Sequence, residues 1–227
     1  MSRCRQKYHD TWNKNMPLAT LDSTHSRRIR AKELTPDAFA PYGFVISTKE
    51  QLKTHKIQSA NYGTAQKIFQ INPVINNFSK CPSGQPSRTN LNMFRCSPPN
   101  HLLTYDADRV AGRVHYLSKV VERHPFSTQT FMPMGRSRND ITYLVIVART
   151  RSDGLPDLDN VEAFVARGDQ AVTYGPGTWH APMVALGDVV DFGVLINENG
   201  QSDEDCQETY INPGLVVEFD LPVSSKL

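Results

Sequence analysis

From residue 114 onward the chain alternates short apolar runs with turn residues, the pattern of a sheet-rich domain. Runs over 141–148, 161–166, 171–174 and 189–196 are rich in Val, Ile, Phe and Tyr, side chains that pack well on a pleated surface. Ser152-Asp153-Gly154 and Arg167-Gly168-Asp169 punctuate them as turns. Several runs are apolar at consecutive positions, so these strands are expected to be covered on both faces. Upstream, Thr35 is a reasonable N-cap and Pro36 suits the first position of a short helix. Pro41-Tyr42-Gly43 should end that helix, and Phe44-Val45-Ile46 should begin a strand. The Pro-, Ser-, Asn- and Gly-rich stretch 80–100 reads as a long surface loop. Short strands of this kind imply a sandwich or closed barrel.

Composition narrows the class without naming an activity. Of 227 residues, 39% are hydrophobic and 21% charged, ordinary for a globular chain. A formal net charge of +2 gives no reason to expect a nucleic-acid partner, and no apolar run approaches membrane-spanning length. Cys4, Cys81, Cys96 and Cys206 are scattered without Cys-x-x-Cys pairing, which argues for a reducing compartment and against a zinc finger. We expect a flexible basic tail over 1–32, one domain over 33–222 with an insertion around 80–100, and a short tail over 223–227. The ending Ser225-Lys226-Leu227 matches a peroxisomal address; without it the expected location is the cytoplasm.

The sharpest local motif is Gly168-Asp169, then a strand, then Pro176-Gly177-Thr178-Trp179-His180. Gly-Asp and Pro-Gly are turn chemistry, and the second turn delivers His180 into the next strand. The pattern resembles the second motif of the cupin superfamily, which implies a mainly β, cupin-like double-stranded β-barrel (jelly roll) with a few short helices. The first cupin motif would correspond to Glu122-x-His124, Gln129 and Gly135. On a strand, residues 122 and 124 share a face. Glu122, His124, Gln129 and His180 could then surround one pocket, as catalytic groups or as ligands of a divalent metal. Gln is a weak neutral ligand for such an ion. Trp179 should point away from His180 and pack, and nothing near Cys206 in sequence would activate it as a nucleophile.

The stretch from Glu122 to Met134 closely resembles the E-R-H-P…T-Q-x-F-x-P block of ureidoglycolate lyases. Agreement continues at Phe94-Arg95, residues 154–158, residues 167–174, Thr178-Trp179-His180, Asp191-Phe192 and Cys206. Departures occur at Gly175-Pro176, where the family pattern has His-Arg, and at Ala181, where a second histidine often follows. The resemblance implies cleavage of (S)-ureidoglycolate to glyoxylate and urea in allantoin and purine breakdown, by a carbon–nitrogen lyase. It implies a homodimer and leaves the cofactor open between nickel, a similar divalent ion and none. His124 and His180 would be ligands or the base and acid, with Glu122 orienting or ligating and Gln129 hydrogen-bonding. Arg95 would grip the substrate carboxylate with its guanidinium fork, and Tyr174 would line the substrate site. Asp191 would contact the substrate, orient a histidine or satisfy a structural hydrogen bond. The competing expectations are an amidohydrolase releasing ammonia and a non-catalytic cupin that binds a small carboxylic acid.

Overall fold

The computed structural model describes residues 17–23, 25–106 and 112–221. In chain order its first strands are β1 (Ala19–Asp22), β2 (Arg27–Arg30), β3 (Lys32–Glu33), β4 (Gly43–Ile46), β5 (Ile57–Ala60), β6 (Ala65–Ile68), β7 (Arg88–Cys96) and β8 (Leu103–Tyr105). There follow β9 (Arg113–Arg123), β10 (Gln129–Met134), β11 (Ile141–Ala148), β12 (Glu162–Arg167), β13 (Ala171–Tyr174), β14 (Trp179–His180), β15 (Val184–Ala185), β16 (Val190–Glu198) and β17 (Gln207–Asp220). Three short helices, α1 (Pro36–Phe39), α2 (Thr48–Thr54) and α3 (Ser202–Asp205), complete the main elements. The Thr35 hydroxyl accepts from the Ala38 amide, and Pro36 opens α1, as the capping pattern predicts.

A ten-stranded sheet has the path β1-β17-β9-β14-β11-β12-β3, with β2, β8 and β15 as side branches. A five-stranded sheet runs β4-β13-β10-β16-β7, and β5 pairs with β6 as a separate hairpin. One core joins the two large sheets: Tyr143, Val145, Val147 and Phe164 meet Phe131, Val172, Phe192 and Val194. The opposite face of the ten-stranded sheet carries a second core of Leu144, Ile146, Trp179, Val217 and Phe219, covered in part by Leu102, Leu158 and Leu221. Two covered faces explain why β11 is apolar at successive positions. The mainly β, cupin-like reading therefore holds, as two facing sheets that are not closed into a continuous barrel.

Two segments differ from the sequence reading. Residues 19–22 and 27–30 belong to the sheet, because β1 and β2 both pair in parallel with β17. Arg28 pairs with Glu218 at 2.7 Å, Arg30 pairs with Asp220, and Ile29 packs against the second core. Arg28 and Arg30, among the basic residues that suggested a solvated tail, face carboxylates on the neighbouring strand, while Arg27 meets Asp159. The stretch taken as a loop over 80–100 contains β7, nine residues long and paired throughout with β16. It occupies a sheet edge with Leu91 and Met93 exposed, so its composition is that of a half-solvated strand.

Candidate active site

His180 is carried by a two-residue strand, β14, set between β9 and β11. The Gly175–Thr178 turn closes with a Thr178 amide to Gly175 carbonyl bond of 3.0 Å, and Gly177 donates to the His124 carbonyl at 2.8 Å. The motif turn is thus bonded to the backbone of the second histidine. His180 sits directly opposite Glu122 in the β9–β14 register, which puts both side chains on one face. Its Nε2 lies 3.5 Å from Glu122 Oε1 and 3.2 Å from Gln129 Oε1, while its Nδ1 is 3.0 Å from the Thr178 carbonyl. Gln129 faces Tyr174 across the β10–β13 register. The Tyr174 ring stacks on His180 at 3.8 Å with an interplanar angle of 8°. Gly43 holds this wall tightly: a Cβ there would sit 1.9 Å from the Thr173 carbonyl oxygen.

His124 follows β9 directly and is buried, its ring centroid 5.5 Å from that of His180. Its Nδ1–H donates to the Asp205 carbonyl at 2.6 Å, and its Nε2 is buried with no hydrogen-bond partner among the described residues. Burial and the neighbouring charge of His180 lower the His124 pKa, against a smaller opposing effect of Glu122. Burial would push the Glu122 carboxyl up, but the hydrogen bond and charge of His180, with the charge of His124, bring it below the ordinary value. Cys206 Sγ lies 3.9 Å from Glu122 Oε2, and burial raises its thiol well above the usual range, so it is no thiolate nucleophile.

Ligand atoms of Glu122, His124 and His180 all lie within 4.8 Å of one another, and Gln129 Oε1 adjoins them. Each histidine directs Nδ1 at a backbone carbonyl, the arrangement that leaves Nε2 to face a site. His180 has oxygen acceptors at both nitrogens, so the ring suits either the imidazolium form or a cation at Nε2. His124 has a bare nitrogen where a proton or a cation could bind. The donor set, two imidazoles and a carboxylate, fits a divalent first-row ion.

Four of the predicted residues therefore meet, and Tyr174 lines the same wall. Arg95 and Asp191 do not join them. They sit opposite each other on β7 and β16, paired at 3.6 Å, with the Arg95 side chain 74% exposed. Their row, which includes Met134, is five positions along β10 from Gln129, about 17 Å at strand rise. It also has the opposite parity: Gln129 pairs with the core residue Ile196, whereas Asp191 alternates with the core residues Val190 and Phe192. Within this protomer the pleat directs Arg95 and Asp191 to the face opposite the histidines, so the fold does not bring them to that site. The polar residues of β7 and β16 that do share the inward parity are Arg88, Asn90, Asn92 and Glu198, with Arg88 opposite Glu198. The sequence reading passed over them because they fell in or beside a presumed loop, although Asn90 and Asn92 stand at strand spacing.

Residues 26–218 match the family described as Ureidoglycolate lyase. A ureidoglycolate lyase of Schizosaccharomyces pombe is 40% identical over 182 residues, covering 80% of this chain and 91% of that protein. A ureidoglycolate lyase of Saccharomyces cerevisiae is 42% identical over 192 residues, covering 81% and 94%. One from Rhizobium leguminosarum is 34% identical over 165 residues, covering 72% and 81%.

Proposed function

The chain belongs to the ureidoglycolate lyase family, and on that premise we propose how its residues divide ureidoglycolate into glyoxylate and urea. The observation that carries the assignment is the buried, unpartnered Nε2 of His124 beside the His180–Glu122 pair. Nε2 of His124 takes the hydroxyl proton of the substrate as general base. The electrons of that O–H bond form the aldehyde C=O, and the C–N bonding pair leaves with the urea nitrogen. His180, held by Glu122, gives a proton to that nitrogen. No water is consumed, so the products are glyoxylate and intact urea. His124 then loses its proton to solvent and His180 regains one, which resets the site.

Glu122, His124 and His180, with Gln129 as a weaker fourth, would also hold a divalent cation. Bound there, such an ion would polarise the substrate hydroxyl and lower its pKa. Gln129 and the Tyr174 ring keep the His180 plane fixed in either case, by hydrogen bond and by stacking.

A homodimer accords with the open edge of β7, where Leu91 and Met93 are 72% and 70% exposed. Peroxisomal import would rest on Ser225-Lys226-Leu227, which lies outside the described residues. No described helix is long and apolar enough to cross a membrane.

Urea and ammonia assayed side by side with pure (S)-ureidoglycolate, with and without chelator, test the reaction. Stoichiometric urea and glyoxylate without ammonia is the expected result. Ammonia as the nitrogen product would replace the lyase with an amidohydrolase, and no turnover at all would favour a binding protein. Restoration by added metal after chelation would assign the cation role.

A further inference from the structure

We propose that Glu198, held by Asn90 and Asn92, receives the terminal amide of the substrate's ureido group and so selects ureido acids over other small hydroxy acids. The inference rests on the ureidoglycolate reading of the histidine site and adds a recognition group to it.

Ile196 on β16 is flanked by Gln129 on one side and Asn90 on the other, one cross-strand row with a common face. Asn92 lies in the next inward row, opposite Val194, and Glu198 extends the inward parity of β16 by two residues. Glu198 Oε2 accepts from Asn90 Nδ2 at 2.7 Å and from Asn92 Nδ2 at 3.4 Å. Two amides from one strand thus fix a half-buried carboxylate on the face that carries Gln129.

The segment after Glu198 is tied to the histidines. Asn199 and Gly200 amides donate to the Asp205 carboxylate at 2.7 and 2.8 Å, and the carbonyl of Asp205 accepts from His124. One short loop therefore sets the distance between Glu198 and the base.

Chemistry then limits what this carboxylate can meet. The substrate's own carboxylate and its hydroxyl oxygen, once ionised, would be repelled by it. Its terminal NH2 offers two N–H donors, and a fixed carboxylate is the natural acceptor for such a pair. Glycolate and glyoxylate lack this group, so Glu198 gives them nothing.

The probe is N-carbamoylglycine, which has the ureido group and carboxylate but no hydroxyl to deprotonate and cannot be cleaved by this route. Calorimetry on the unmodified full chain should show it binding about tenfold or more tightly than N-acetylglycine, in which a methyl replaces the NH2, as expected for charge-assisted hydrogen bonds. Glu198→Gln should erase most of that preference and leave glycolate affinity within about twofold. Equal affinity of the unmodified chain for the two acylglycines overturns the proposal without any variant. So does an equal loss for N-carbamoylglycine and glycolate in a folded Glu198→Gln protein. A chain that prefers N-carbamoylglycine yet never splits ureidoglycolate keeps this inference and removes the lyase reading of the histidines.

Discussion

Replacing His124 by Gln tests the base assignment most directly. The Gln amide can still donate to the Asp205 carbonyl, replacing the 2.6 Å bond of Nδ1, but it offers no basic nitrogen in place of Nε2. A positioned general base contributes about 10²–10⁴ in rate, or roughly 3–6 kcal/mol of barrier at about 1.4 kcal/mol per decade. The structural cost should be much smaller. One hydrogen bond is retained or weakened, worth about 0.5–1.5 kcal/mol, so Tm should fall by only about 1–6 °C for a domain of this size. Turnover is followed by trapping glyoxylate as its phenylhydrazone while urea is measured in the same samples. The expected outcome is a fall in kcat of at least a hundredfold with the cooperative melt preserved. A Gln variant that keeps more than a tenth of wild-type kcat, with a normal melt, would refute the role given to that nitrogen.

Arg95→Ala should leave kcat/KM within about threefold, because the guanidinium pairs with Asp191 on the face turned away from the histidines. The exposed pair should cost no more than about 1 kcal/mol in denaturant unfolding; a hundredfold loss of kcat/KM would restore its substrate role. Gly43→Ala places a methyl 1.9 Å from the Thr173 carbonyl oxygen at a φ of +152°. It should destabilise the fold by about 3 kcal/mol and lower Tm by roughly 6–12 °C, and an unchanged melt would contradict that packing. The Glu204 carboxyl is held at about 2 by the Ser83 hydroxyl, against some burial, with help from Asn199 and the Ser83 amide. A lowered folded pKa means its stabilisation is complete above the unfolded value near 4.5 and disappears as pH falls towards about 2. Melting curves from pH 6 to pH 2.5 should therefore fall less steeply for Glu204→Gln than for the wild type, and parallel curves would count against the contact.

The amino-acid pattern alone carried the strand runs of β11, β12, β13 and β16, the capped helix α1 and the turn that delivers His180. These features depend on neighbours within a few residues, where propensity and turn chemistry act. The Glu122–Met134 block also carried the family, and with it both histidines, Glu122 and Gln129. Composition misled for β2 and β7, because a basic or polar stretch looks like a tail or loop until its partner strand is known. Arg28 becomes a strand residue only once Glu218 lies beside it, 190 positions away.

Tertiary structure decided which side each strand residue faces and what each ring nitrogen meets. Arg95 and Asn90 lie on the same strand, yet odd spacing sends one outward to Asp191 and the other inward beside Ile196. That parity is set by register with β16, a long-range pairing that no local window contains. The difference between the two histidines was equally hidden, because Asp205 O, Thr178 O and Gln129 Oε1 come from separate elements. Side-chain alternation follows from the covalent chain, but which alternate is buried follows only from what the opposite sheet covers.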